Sequence, residues 1–165
     1  MKKSAISIFV IAALASAAFF LFPKQNATCE DHKAADSGLP VPPMSPIPRP
    51  ADANLYIVSP ADGATIEGPV TVIFGLKGMG VAPAGIYLGA DKPTGHHHLI
   101  IDADLPDLKL PFPMDDNYKH FGGGQTEVTL ELTPGEHTLQ LVLGDFAHVP
   151  NDPPLLSKKI TVTVK

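Results

Sequence analysis

The 165-residue chain has a single cysteine, Cys29, and no tryptophan. One thiol excludes a disulfide framework and a cysteine-built zinc cluster. Basic charge is also scarce: 12 Lys+Arg stand against 17 Asp+Glu, a formal charge of −5. That balance excludes a phosphate-tracking nucleic-acid binder, which needs a basic face. Without tryptophan, the best platform for sugar stacking is missing, and a lectin role ranks third among binding functions. Catalytic signatures are absent too. There is no Gly-x-Ser-x-Gly and no His-Glu-x-x-His. Cys29 is not placed as a nucleophile, and no enzyme is expected. Gly122-Gly123-Gly124 has no following helix start and no Lys-Ser/Thr pair, so it reads as a turn and not a phosphate cradle. Asp115-Asp116-Asn117 lacks the spacing of a calcium loop.

What is abundant is proline (18) and glycine (14), which excludes a helical bundle. The chain divides into three parts. Residues 1–22 begin with Lys2 and Lys3, followed by an apolar run from Ile6 to Phe22. This is the pattern of an export signal, or of a membrane anchor at about the 17-residue lower limit for a span. Ala15-Ser16-Ala17-Ala18 offers a cleavage site. Cys29 lies too far beyond the run to be lipid-modified, and Asn26-Ala27-Thr28 lacks the aliphatic residue such a cysteine requires. The bulk of the chain is therefore expected in the periplasm or outside the cell, with membrane contact only through residues 1–22. Residues 23–54 are expected to be a linker. Six prolines between Pro40 and Pro50 favour extended polyproline-like chain, a semi-rigid spacer.

From Leu55 to Lys165 the pattern becomes that of short strands. Leu55–Val58, Val70–Phe74, His97–Asp102, Thr126–Leu132, His137–Leu143 and Ile160–Val164 are β-branched, aromatic or alternating. Asp107–Pro113 is a candidate seventh strand. Gly/Pro turns separate them, and no helical period is present. The expectation is an all-β domain, an immunoglobulin-like antiparallel sandwich of about seven strands, without the Cys-Trp-Cys signature. Leu139, Leu141 and Leu143 should face the core, at roughly 1.5–3 kcal/mol each on full burial.

Histidine carries the chemistry. Six of seven histidines lie between His96 and His148. In a strand, alternate residues share a face, so His96 and His98 point one way and His97 the other. His120 and His148 sit in two of the three long connections. If these meet the triplet, His96, His98, His120 and His148 converge on one ion. Imidazole suits copper, zinc, iron and nickel. Met79, a soft ligand in the first long loop, shifts the expectation to copper first and zinc second. Asp102, Glu127 and Asp145 are candidates to orient the rings. Against this, His97 shares its face with Leu99 and Ile101 and should pack in the core. His137, at a strand entry after Pro134-Gly135, should be a satisfied structural group. His32 and Cys29 lie in the linker.

Several motifs occur together. They are Pro60-Ala61-Asp62-Gly63-Ala64-Thr65, the Phe74–Gly85 stretch, Thr94-Gly95-His96-His97-His98-Leu99-Ile100-Ile101-Asp102, His120-Phe121-Gly122-Gly123-Gly124-Gln125-Thr126-Glu127 and Pro134-Gly135-Glu136-His137-Thr138-Leu139-Gln140-Leu141. In this combination the chain from about Leu55 to Lys165 resembles a bacterial domain-of-unknown-function family, number 4399. The resemblance implies an exported bacterial protein and supplies no activity. Where that family carries further histidines in the last loop, this chain has Phe146 and Asn151, leaving His148. The functional expectation is a non-enzymatic metal binder. The rival is an interaction module that docks on an envelope protein through Met79, Val81, Ile86, Tyr87 and Leu88, its histidines structural.

Overall fold

The computed structural model describes residues 44–165, so the signal or anchor segment, Cys29 and His32 lie outside the described residues. Nine strands form two sheets. They are β1 (Asn54–Ser59), β2 (Ala64–Ile66), β3 (Val70–Lys77), β4 (Gly80–Val81), β5 (Thr94–Ile101), β6 (Tyr118–His120), β7 (Glu127–Leu130), β8 (Gly135–Gly144) and β9 (Ile160–Val164). One sheet has the order β1-β3-β7. The other runs β2-β9-β8-β5-β4, with β6 also paired to β5. The domain is an all-β, immunoglobulin-like sandwich. No helix among the described residues is long and apolar enough to cross a membrane.

All six clear strand expectations hold, with shifted ends. Two points differ. The second sheet is mixed, because β2 lies parallel to β9 and β4 parallel to β5. Residues 107–113 form no strand. Prolines at 111 and 113 remove two ladder donors there. This segment is instead a covering loop, and its Phe112 is buried.

The inner faces follow simple alternation. Leu139, Leu141 and Leu143 on β8 meet Val70, Val72 and Phe74 on β3, with Leu99, Val162 and Ile160, in one core between the sheets. On β5, His97, Leu99 and Ile101 share that inner side. The outer face of β5 and β8 is buried as well. Ile100 and Val142 form a second apolar cluster with Phe112, flanked by Tyr118 and Leu156. The loops 102–117 and 145–157 therefore act as a third layer over half of the second sheet. This layer is what buries the outward residues His96 and His98.

Residues 45–53, expected as tether, belong to the domain. Ile47 and Ala53 are buried, and Pro48 forms a bridge with Asp152. The spacer reading for residues 23–43 falls outside the described residues.

Candidate metal centre

The centre is built on β5. Because His96 and His98 are two residues apart in a strand, their rings leave the same face, 4.7 Å between centroids. β6 lies antiparallel to β5 with His120 directly opposite His98, so the third ring joins on the same face at 5.1 Å from His98 and 5.0 Å from His96. The fourth comes from the turn after β8. His148 stands 5.0 Å from His96 and 4.7 Å from His120. One potential ligand nitrogen from each of the four lies within 4.8 Å of the others. Bonds of about 2.0–2.1 Å place ligand nitrogens at most about 4.2 Å apart. Closure on an ion therefore takes several tenths of an ångström, within the reach of ring rotation.

Backbone makes room for these rings. At Gly144, opposite His96 in the ladder, a Cβ would stand 2.6 Å from Cε1 of His98. A Cβ on Gly122 would collide with the His120 ring, 2.7 Å from its Nε2. His148 adopts φ 64°, a left-handed conformation that non-glycine residues seldom take. It is held there by the turn: the His148 amide donates to the Asp145 carbonyl at 3.1 Å, and the His148 carbonyl accepts from the Phe112 amide at 2.9 Å. Phe112 closes the outer side of His98, 4.4 Å between ring centroids.

The electrostatics are those of a neutral donor set. His96 and His98 are fully buried, while His120 and His148 are half-buried. Burial, then the neighbouring imidazoles, push the pKa of His96 down to about 4 and that of His98 to about 2. His120 is lowered by burial and then by His148. Both nitrogens of His96 and of His98, and Nε2 of His120, are buried without a hydrogen-bond partner. Each orphaned polar group of this kind costs about 1–3 kcal/mol. Two fully buried rings stripped of partners, aimed at two half-buried ones, are the expected state of a ligand set, whose partner is an ion.

The other two buried histidines behave differently. His97 sits on the core side against Phe74, 5.1 Å between centroids; its Nδ1 donates to the Gln125 carbonyl at 3.2 Å, while its Nε2 is buried without a partner. Burial lowers its pKa. His137 donates from Nδ1 to Asp102 Oδ2 at 2.6 Å and from Nε2 to the Thr133 carbonyl at 2.7 Å. Two acceptors favour the imidazolium, and its pKa is raised, chiefly by Asp102. These are the structural roles that alternation and the strand-entry position predict.

Met79 packs, half-buried, against the core between the sheets. It borders a shallow cavity of about 340 Å³ with Lys92, Pro93 and Thr94. None of the three acids hydrogen-bonds to any of the four rings. Asp102 serves His137 and the Thr138 amide, and Glu127 is exposed on β7. Asp145 is fully buried but accepts from Ala147 and Val149 amides and from Ser45. Sequence reasoning missed Phe112, Gly122 and Gly144. Their signal was weak, because their role is to cover or to vacate space.

Fold and site together define a class: a β-sandwich whose outer sheet face carries a buried cluster of four histidines under a layer of loops. Residues 72–165, more than half of the chain, match the family model described as domain of unknown function DUF4399. The chain belongs to that family, as its motifs imply. No curated protein matches it. Among solved structures, the fibronectin(III)-like modules of CbhA from Clostridium thermocellum align over 68% of this chain, at 9% identity and a TM-score of 0.37. The alignment spans 45% of that other chain.

Proposed function

We propose that this protein captures a transition metal ion, copper first, through His96, His98, His120 and His148, and gives it up again without turnover. One observation carries the reading: four imidazoles from three separate elements face one point, and the nitrogens of the two innermost are buried without partners. Histidines kept for structure find an acceptor, His97 for one nitrogen and His137 for both. His96 and His98 find none, and two further rings face them. Copper ranks above zinc because a nitrogen donor set binds Cu²⁺ more tightly by the Irving–Williams order. Met79, held against the core, adds no thioether to that argument. The half-exposed pair His120 and His148 forms the side through which an ion enters and leaves.

The export pattern of residues 1–22 supports periplasmic or extracellular work, where a carrier would meet envelope proteins. Ile86 and Leu88, each close to half exposed at 45% and 46%, favour a second reading in which that loop docks such a partner. The two readings separate in one experiment. The untagged protein is analysed for metal and its apo form is titrated with copper and with zinc, beside a His96→Ala/His98→Ala variant. Near-stoichiometric copper that the variant loses is the expected result, with cupric electron paramagnetic resonance reporting an all-nitrogen site. No uptake tighter than micromolar would sink the metal reading and leave the interaction module.

A further inference from the structure

The carboxylate of Asp145 divides its two oxygens between different parts of the chain. Oδ1 accepts from the amides of Ala147 (2.8 Å) and Val149 (3.1 Å), which fold the turn bearing His148. Oδ2 accepts from Ser45 Oγ at 2.5 Å and from the Ile47 amide at 3.4 Å, both about a hundred residues away in sequence. The same strand of the proline-rich segment is clamped onto the rest of the loop. The Ile47 carbonyl accepts from Asn151 Nδ2 (3.1 Å) and the Asp152 amide (3.2 Å), and Arg49 Nε donates to the Pro153 carbonyl at 3.0 Å. Ile47 itself is buried, at 7% exposure. His148, on the turn so held, keeps a left-handed backbone that persists only where its surroundings over-determine it.

We infer that residues 45–49 are a strap that governs how tightly the ion is kept, by fixing His148 through Asp145. The inference rests on the metal reading above. With the strap docked, the buried carboxylate has its full set of donors and the turn presents His148 to the ion. With the strap lifted, Oδ2 loses its donors and takes up water, the turn relaxes, and the site falls to three imidazoles. Coupling is reciprocal, so ion binding also holds the strap down. Ser45 and Asp145 are thus positioning residues. The proline-rich segment is the handle by which a partner that displaces it would loosen the ion.

The test uses the full chain and copper. A Ser45→Ala/Arg49→Ala variant weakens the strap at two points outside the core. An Asp145→Asn variant retains an oxygen for the Ala147 and Val149 amides but faces the strap with an NH₂ donor. Affinity by chelator competition, release rate to excess chelator, and the nitrogen count from cupric electron paramagnetic resonance are read for each. Thermal melts of the apo forms verify that they fold. Losing a partner that orients a ligand typically costs 10–100-fold in affinity, and the lower end is expected here, about tenfold, with faster release and one nitrogen fewer. In a His148→Ala background the strap substitutions should change nothing further. Wild-type protein that binds copper beside strap variants that bind and release it equally well overturns the strap alone. Wild-type protein that takes up no copper removes the metal reading and the strap with it.

Discussion

His96 and His137 are imidazoles of the same sheet pushed in opposite directions, and each leaves its own mark on stability. An unfolded histidine titrates near 6.5. The folded pKa of His96 is lowered to about 4 by burial, so between these values the unfolded chain binds more protons. Stability is full above about pH 6.5 and falls as the pH drops toward 4, by of the order of 3 kcal/mol for this group. His98 adds to the same loss. His137 does the reverse. Its raised pKa means its contribution is complete below about 6.5 and fades as the pH rises through the folded value. Urea unfolding of the apo protein from pH 4 to 9 measures the sum. A His137→Ala variant should cost about 1.5 kcal/mol near pH 6, since the Asp102 partner is partly exposed, and less at pH 9. A cost equal at both pH values would show that His137 is not held as the imidazolium.

At the scale of elements, β5 was legible in the sequence and its cover was not. Period-two alternation alone assigns His97 to the core and pairs His96 with His98 on the opposite face. The same alternation predicts that the opposite face is wet, which is where reading stops. That face is dry because loop 102–117 folds back over it, and nothing in Leu110-Pro111-Phe112-Pro113 specifies the return. The prolines exclude a strand but do not say where the segment lands. For the same reason the targets of Asp102 and Asp145 are not legible: Asp102 orients His137 instead of a ring of the cluster, and Asp145 bonds Ser45 and the 147–149 turn instead of an imidazole. The cover yields two predictions. Phe112→Ala, which uncovers His98, should cost about 3 kcal/mol in apo stability and speed release of bound copper, measured by denaturation and chelator challenge. Gly122→Ala places a Cβ in the space of the His120 ring, which can swing into solvent. It should lower copper affinity by about tenfold, the scale at which ligand orientation matters. Stability should fall by no more than about 1 kcal/mol, because the ring that gives way is half-buried and lies outside the core between the sheets. Unchanged affinity would mean His120 is not a ligand.

For the whole molecule, the two sheets have unequal surroundings. The sheet β1-β3-β7 keeps one face open to solvent, where Tyr56 lies across Gly75 and Ile73 and Val58 remain exposed. The other sheet has both faces covered over β5 and β8. Hydrogen exchange should therefore be slowest for the amides of Leu99 and Leu141, whose strands open only with the domain, and faster along β1 and β7 at the open edges. The inclusion of residues 45–53 in the domain has a practical outcome: protein beginning at Asp52 lacks Ile47 and the Ser45 and Ile47 donors to Asp145, and should melt several degrees below the longer chain. A loss of 1 kcal/mol shifts the midpoint of a domain this size by about 4 °C.

The donor set at the centre contains no carboxylate and no thiolate among its four members. Thiolate sites must shed protons to receive an ion. Here the two inner rings are already deprotonated at mildly acidic pH, so at pH 6 an incoming cation meets lone pairs that need no clearing. Calorimetry would make that visible. At about pH 8, above the ordinary imidazole range, the heat of copper uptake should be nearly the same in buffers of very different ionisation enthalpy, and the net charge of the protein should rise by the charge of the ion itself.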